Sequence, residues 1–445
     1  MAALRILHVA PYFENAWAYG GIPRVVAAQV HALAAAGHHV TVAATDVRDA
    51  VSRSSAPGEV RGPWPRLAPR AERTADGIEV RIFPNLSNTI AYRWQFYTPR
   101  GLAGWLDANI SAFDVAHLHA CHNLMTAVAA KHFRRAGISY LVQPNGTARR
   151  IERRRAAKRV FDALFERDVL RNAAAVIAVT GWERRQIREL LSHGAAAPAL
   201  RQAQDRPELS RRAGLHKHED AGLHGREDPS RVWIVPNPLA PMPSCQMPER
   251  GRFRERHGLS DAPVLMYLGM LSPRKQPDIL ARAAAVLKRP DAQLVFAGND
   301  MGAERTTRSI VRQLGLESRT RFTGLLAGSA RYTALAAADI LVYPSYDEVF
   351  GLVPLEALQC GTPVIVSNDS GCGEIIGAIG GGLLVPPGKP AALAAAIDTI
   401  LDDLPRWRTE ALRAGTEASR RFHPDLVAAQ LVAAYREAVS GPARP

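Results

Sequence analysis

Cysteine is scarce in this chain of 445 residues, and long apolar runs are absent. The four cysteines have no metal-like spacing, which favours reduced thiols in a cytoplasmic protein over a disulfide framework or a cysteine-rich metal site. No apolar run reaches the length of a membrane span. The opening residues MAALRILHVAPYF have a short apolar core and no cleavage-like site, so they predict a first strand rather than a signal peptide.

Acidic residues are in the minority, with 42 Asp and Glu against 56 Lys and Arg, a net charge of +14. This surplus permits nucleic acid, anionic lipid or phosphorylated substrates as partners. No nucleic-acid motif is present and the arginines cluster on helices without interleaved aromatic residues, so we expect no nucleic-acid partner. A solvated, arginine-rich surface remains the alternative. The length predicts two domains or more, and a hydrophobic content of 47% is ample for their cores.

One stretch, residues 340–382, has the clearest pattern in the sequence. It begins with a short apolar run, 340–343, of the kind that forms a buried strand. A polar loop follows, then a helix that opens at Gly351 with a proline in its first turn, and then a second apolar run, 362–366. This order predicts a right-handed βαβ unit and therefore an α/β fold with a parallel sheet.

Two carboxylates, Glu348 and Glu356, flank the start of that helix. The loop before it lies at the carboxyl end of a strand, where open α/β sheets bind ligands, and the first N–H groups of the helix favour an anion such as phosphate. Carboxylates beside a phosphate site are costly by charge alone, but they accept strong hydrogen bonds from sugar hydroxyls. A capped helix in an unrelated α/β domain is the alternative.

The spacing E-x7-E within E-V-F-G-L-V-P-L-E-A-L-Q-C-G-T-P-V-I resembles the nucleotide-sugar signature of the GT4 family. Members are retaining glycosyltransferases with the GT-B fold, in which two Rossmann-like parallel-sheet domains face each other across a cleft. The resemblance implies that Glu348 contacts the donor sugar and that Glu356 holds the ribose hydroxyls. It also implies that the backbone of Phe350, Gly351 and Leu352 contacts the diphosphate.

The first loop of the chain also resembles the family. Gly20 and Gly21 match a glycine-rich loop that approaches the donor diphosphate, and glycine permits such close approach of the backbone. A tight turn is the alternative. Arg24, just beyond, either adds a charge to the site or lies on the surface.

The segment D-V-A-H-L-H, residues 114–119, matches an element whose second histidine contacts the donor sugar near the reacting carbon. The resemblance assigns this catalytic role to His119. His117 faces the same side of the strand, because side chains alternate along it, and either imidazole could be used. His122, on the following turn, is a weaker candidate.

The family pattern G-R-L-x-x-x-K-G corresponds here to G-M-L-S-P-R-K-Q. Lys275 matches the lysine that grips the diphosphate, but Met270 stands where the arginine belongs. Arg274 could supply the missing charge from the adjacent position. Loss of a cation beside a leaving group can raise the energy of the transition state by about a few kcal/mol. Methionine in place of the family arginine therefore bears directly on activity.

Contacts to the acceptor are expected in the loop that carries Asn145, Gly146 and Thr147, and Glu183 helps to hold that side of the cleft. The arginine-rich segment 149–159 suits an anionic membrane surface, with a solvated helix face as the alternative.

The resemblance predicts an acceptor-side domain over 1–238, a nucleotide-sugar-binding domain over 239–423, and a helix with a tail over 424–445 that returns to the first domain. Residues 193–229 lack apolar periodicity and predict an inserted mobile segment. We expect no metal site at its three histidines, because no ordered scaffold surrounds them. These are His216, His218 and His224.

The function implied is transfer of a hexose, with retention, from a nucleotide diphosphate sugar to an acceptor hydroxyl. We expect a lipid-linked saccharide acceptor in cell-surface polysaccharide assembly, and a cytoplasmic protein that can contact the membrane face. No cofactor is expected, and no metal, because no D-x-D motif lies near either site. A non-catalytic nucleotide-sugar-binding protein and a sugar-nucleotide epimerase of the same fold are the alternatives.

Overall fold

The computed structural model describes residues 2–14, 16, 20–47, 70–94, 96–148, 165–192, 231–242, 250–326 and 328–441. The basic segment 149–159, the predicted insertion with its three histidines, and Cys245 lie outside these described residues. Within the described ranges, no helix has both the length and the apolar character that crossing a membrane requires.

The first domain is built on an eight-stranded sheet in the order β3-β4-β2-β1-β5-β6-β7-β8. Every neighbouring pair is parallel except β3 and β4, which are antiparallel. The strands are β1 Arg5–Val9, β2 His39–Thr45, β3 Arg70–Arg73, β4 Glu79–Phe83, β5 Val115–His119, β6 Tyr140–Gln143, β7 Ala175–Ala178 and β8 Val232–Ile234.

Helices cover this sheet because its central strands are buried on both faces, as is usual for parallel strands. Two clusters of buried side chains lie on its opposite faces, one under α1 and one under α3 and α4. The helices are α1 Ile22–Ala35, α2 Asn88–Trp94, α3 Leu102–Asn109, α4 Leu124–Arg135, α5 Arg167–Asn172 and α6 Gly181–Ser192.

The second domain has a six-stranded, fully parallel sheet in the order β11-β10-β9-β12-β13-β14. Its strands are β9 Val264–Leu268, β10 Gln293–Ala297, β11 Thr320–Gly324, β12 Ile340–Tyr343, β13 Val364–Ser367 and β14 Gly382–Val385. Its helices are α7 Arg250–Arg256, α8 Pro277–Ala284, α9 Glu304–Gln313, α10 Ser329–Ala337, α11 Leu352–Gln359, α12 Gly371–Ile379, α13 Pro390–Asp402 and α14 Leu404–Arg421.

The last helix, α15 Pro424–Ser440, packs on the first domain although it follows the second in sequence. Its buried residues Val427 and Leu431 belong to the same core cluster as Ile6 of β1 and Val26 of α1. The hydroxyl of Tyr435 lies 2.7 Å from an imidazole nitrogen of β5. The chain therefore crosses between the domains twice.

The predicted βαβ unit is present as β12, α11 and β13. Gly351 begins α11 with a φ of 79°, in the left-handed region that favours glycine. A Cβ at this position would lie 2.5 Å from the sulfur of Cys372, so the close approach of α12 also requires glycine. This packing fixes the loop 344–350 at the carboxyl edge of the sheet.

Candidate active site

A cavity of about 1050 Å³ lies between the two domains, where the carboxyl ends of their strands face each other. The loops after β1, β5 and β6 form its first-domain wall. The loops after β9, β10 and β12, with the start of α11, form its second-domain wall. Ligands of open α/β sheets bind at this edge, so the cavity is the candidate active site.

Twelve of the thirteen predicted site residues line this cavity. They are Gly20, Gly21, Asn145, Gly146, Thr147, Arg274, Lys275, Glu348, Phe350, Gly351, Leu352 and Glu356.

His119 is the exception, since its side chain is fully buried and does not line the cavity. It shares a 2.9 Å hydrogen bond with His8 and stacks on His117. The expected contact between its imidazole and the donor sugar stays a prediction, and in this structure the ring lies against His8 and His117, away from the cavity lining. After β5 the backbone turns through the left-handed region at Ala120 and His122, which brings His122 to the cavity wall instead.

The three buried histidines are the one group among the described residues that could each offer a nitrogen to a single ion, with those atoms within 4.8 Å of one another. Burial lowers the pKa of His8 to about 3 and holds the pKa values of His117 and His119 well below the ordinary value. The cluster contains no carboxylate, so a divalent ion there would be buried without a compensating negative charge. The residues fit a neutral core better than a metal centre.

Lys275 and Glu348 form an ion pair on the second-domain wall. Tyr343 and Ser345 each donate a hydroxyl hydrogen bond of 3.2 Å to the same carboxylate oxygen, and Arg274 lies 3.8 Å from it. Burial alone would raise the pKa of Glu348, but the two cations outweigh burial and hold that pKa at about 2. Glu348 is therefore an ionised acceptor at the cavity wall.

Glu356 pairs with two arginines, one from each domain. Arg24 of α1 lies 2.8 Å from its carboxylate and Arg331 of α10 lies 3.1 Å away. The Glu356 side chain is only 5% exposed, so both contacts are largely desolvated. Arg24, whose place the sequence left open, thus belongs to the site, and Arg331 was not identified from the sequence.

The charges that line the cavity give it a positive balance. Its described lining holds four basic side chains, Arg24, Arg274, Lys275 and Arg331, against two carboxylates, so two formal positive charges are in excess. A diphosphate esterified at both ends carries two negative charges. The first N–H groups of α11 point into the same region and favour an anion further.

Gly20 and Met270 meet across the cleft. Gly20 has a φ of 111°, and a Cβ there would lie 3.3 Å from the terminal methyl group of Met270. The methionine that replaces the family arginine therefore packs against the glycine-rich loop of the other domain.

The acceptor-side loop is held by a buried carboxylate. Glu183 accepts hydrogen bonds from the N–H groups of Gly146, at 2.6 Å, and Val179, at 2.9 Å. Burial raises the pKa of Glu183 to about 7, although these two hydrogen bonds act in the opposite direction. Nδ1–H of His122 donates to the carbonyl of Thr147 at 2.8 Å, so the turn after β5 and the loop after β6 form one wall.

Two family models match the chain. One described as "Glycosyl transferases group 1" matches residues 249–418, and one described as "Glycosyl transferase 4-like domain" matches residues 20–201. The chain is 35% identical over 246 residues to a Kineococcus radiotolerans protein named D-inositol 3-phosphate glycosyltransferase, a match that covers 50% of this chain and 55% of the relative. The chain thus spans about half the length of the curated relatives it matches.

Solved structures resemble the whole chain. HepE from Anabaena in complex with UDP-glucose superposes with a TM-score of 0.67 at 18% identity, covering 97% of this chain and 98% of that one. Sucrose-phosphate synthase from Thermosynechococcus elongatus gives 0.67 at 22% identity and covers 98% of each chain. At these identities the likeness establishes a shared fold.

Proposed function

We propose that the protein transfers a hexose from a nucleoside diphosphate sugar to an acceptor hydroxyl. The chain belongs to the group 1, GT4-like glycosyltransferases and has the GT-B fold, which supports this proposal. The observation that carries this proposal is the cavity between the two sheets. It combines two excess positive charges with two carboxylates held at fixed places, which suits a diphosphate with a sugar on either side.

In this proposal the donor binds along the second-domain wall. Glu356 accepts hydrogen bonds from the ribose hydroxyls, which requires that the donor share this carboxylate with Arg24 or Arg331 or displace one of them. Lys275, Arg274 and the start of α11 face the diphosphate. Glu348, kept ionised by its neighbours, accepts hydrogen bonds from the hexose hydroxyls.

In the reaction, the bond between the anomeric carbon and the diphosphate oxygen breaks, and the acceptor oxygen forms its bond on the same face of the sugar. The acceptor proton passes to the departing phosphate oxygen. Cations and helix N–H groups that are already in place lower the energy of the charge that develops on this leaving group. Contact between the domains excludes water and so limits hydrolysis of the donor.

We further propose a lipid-linked saccharide as the acceptor. Ile90 and Phe96 line the first-domain side of the cavity while remaining 46% and 42% exposed, which suits an apolar group beside the acceptor sugar. A phosphorylated polyol is the second candidate, because the Kineococcus relative is named for inositol 3-phosphate. Activity assays with each acceptor class, with and without a lipid, distinguish the two.

Calorimetric titration with UDP, GDP and ADP, and with their hexose conjugates, tests the donor. We expect one nucleotide to bind and its sugar conjugate to bind more tightly, and we expect Glu356→Ala to abolish both. No binding by any nucleotide would contradict the proposal. Binding without turnover on any acceptor would favour a non-catalytic nucleotide-sugar-binding protein. The anomeric configuration of the product, read by NMR coupling constants, tests retention.

A further inference from the structure

The beginning of α6, in the first domain, holds the loop of the second domain that carries Glu348. The indole N–H of Trp182 donates to Oδ1 of Asp347 at 2.8 Å, and the side-chain amide of Gln186 donates to the same oxygen. The hydroxyl of Thr180 donates to the carbonyl of Val349 at 3.0 Å. Both neighbours of Glu348 in sequence are therefore fixed by donors from the opposite domain.

These contacts are shielded from water, which makes hydrogen bonds to a carboxylate strong. Asp347 is 6% exposed, Gln186 is 9% exposed and Thr180 is buried. Packing is close as well, because a Cβ at Gly371 would overlap both the carbonyl of Val349 and the hydroxyl of Thr180. The loop thus has little freedom to move while the domains are in contact.

The backbone of the loop needs this support. Asp347 has a φ of 51°, in the left-handed region that is unfavourable for most side chains and tolerated best by glycine, asparagine and aspartate. A conformation of this kind persists where surrounding contacts hold it. Relaxation of Asp347 toward ordinary backbone angles would redirect the next residue, Glu348.

The same helix also holds the acceptor wall. Glu183, next to Trp182 in sequence, binds the N–H of Gly146 in the loop after β6. One turn of α6 therefore fixes both the loop expected to contact the acceptor and the loop that carries the donor-sugar carboxylate. Its geometry sets the distance between them.

We propose that Asp347, held by Trp182 and Gln186, is a positioning residue that places the Glu348 carboxylate for the hexose only when the two domains are in contact. This inference rests on the proposed function, since it gives Glu348 a sugar to bind. A misplacement of about 1 Å at such a group can lower turnover by about 100-fold. Nucleotide binding, which depends on other residues, is expected to persist.

The test compares binding of a nucleotide with binding of its sugar conjugate, using the pairs UDP and UDP-glucose, GDP and GDP-mannose, and ADP and ADP-glucose. In the double variant Trp182→Phe/Gln186→Leu, the aromatic ring and the side-chain volume remain but both donors are lost. We expect nucleotide affinity within about twofold of wild type, while the extra affinity given by the sugar falls about tenfold or more.

Two substitutions of Asp347 separate the carboxylate from the backbone. Asp347→Asn keeps the Oδ1 acceptor and tolerates the left-handed φ, so its sugar affinity should stay near wild type. Asp347→Gly permits the φ but lacks the acceptor, and it should behave like the double variant. Leu190→Gln is the matched control, because Leu190 is an exposed side chain on the same helix.

Each outcome decides the matter. Unchanged sugar affinity in the double variant overturns the inference, and so does an equal loss of nucleotide and sugar affinity, which would show general loosening of the interface. Loss of the sugar contribution alone, with Asp347→Asn close to wild type, supports it. If wild type binds none of the three pairs, the proposed function itself fails, which is a different result from either of these.

Discussion

Replacing Lys275 by methionine removes the cation that faces Glu348 while keeping an unbranched side chain of similar length. Burial raises the pKa of Glu348, yet Lys275 and Arg274 hold it at about 2, against an ordinary value of 4.5. That difference corresponds to about 3 kcal/mol of preference for the ionised carboxylate. Because the folded-state pKa is depressed, this stabilisation is present above pH 4.5 and is lost as the pH falls toward 2.

In Lys275→Met, burial acts on Glu348 with Arg274 and the hydrogen bond from Ser345 left to oppose it, so the carboxylate takes up a proton at a higher pH. We expect the affinity for the nucleotide sugar to fall by about 10- to 100-fold at neutral pH, since the diphosphate loses a charged hydrogen-bond donor, which contributes about 1.5–3 kcal/mol. In the variant, the remaining affinity should decrease further as the pH falls through the raised pKa of Glu348. Wild type should show no such decrease over the same pH range.

Calorimetric titration with the nucleotide sugar that wild type binds measures the loss of affinity and its pH dependence. The titrations are run at several pH values from about 5 to 8, because a buried carboxylate with a raised pKa titrates in this range. Lys288→Met, the same substitution at an exposed position, is the control and should match wild type. Affinity within about threefold of wild type, with an unchanged pH dependence, would show that Lys275 and Glu348 are not coupled as described.

Three further predictions concern other parts of the molecule. His122→Ala should lower turnover by about tenfold with little loss of stability, because its imidazole lines the cavity. His119→Ala should mainly lower the melting temperature, because its ring is buried in the core. Steady-state kinetics and thermal unfolding of both variants check these expectations. Arg24→Gln should leave the domains further apart in the absence of donor, measured by small-angle scattering, because it removes the 2.8 Å ion pair between α1 and α11; an unchanged scattering profile would contradict it. Arg254→Met should destabilise the second domain by about 2 kcal/mol in denaturant unfolding, because it leaves the buried carboxylate of Asp339 with fewer partners. A loss of stability below about 0.5 kcal/mol would show that Arg254 does not stabilise this carboxylate.

The fold could be predicted where local pattern decides structure. The run before Pro344 and the helix that begins beyond Gly351 follow from apolar periodicity, proline and glycine, and they occur as β12 and α11 within a few residues of the predicted ends. The second strand starts at Val364 rather than 362, because Thr362 bonds back to α10 and α11 instead of joining the ladder.

The candidate site could be predicted only in part, because its geometry depends on contacts distant in sequence. Glu356 pairs with Arg24, which is 332 residues away in sequence. No local pattern predicts this pair or the contact of Arg331 with the same carboxylate. The burial of His119 could not be predicted for a different reason. A motif identifies the residue type at the end of β5, but the two left-handed residues of the following turn decide that His122 reaches the cavity.

Met270 shows how the departure from the family pattern fits the rest of the site. An arginine at 270 would add a third excess positive charge to a cavity whose described lining already balances a diphosphate. With methionine there, the side chain makes an apolar contact with the Gly20 loop, and the pair Arg274 and Lys275 remains beside Glu348. Methionine at this position thus supplies a contact between the domains where the resemblance implies an ionic contact to the donor. Under the proposed function, the positive balance that suits a doubly charged donor is kept, and the contact between Met270 and the Gly20 loop is made without the ligand.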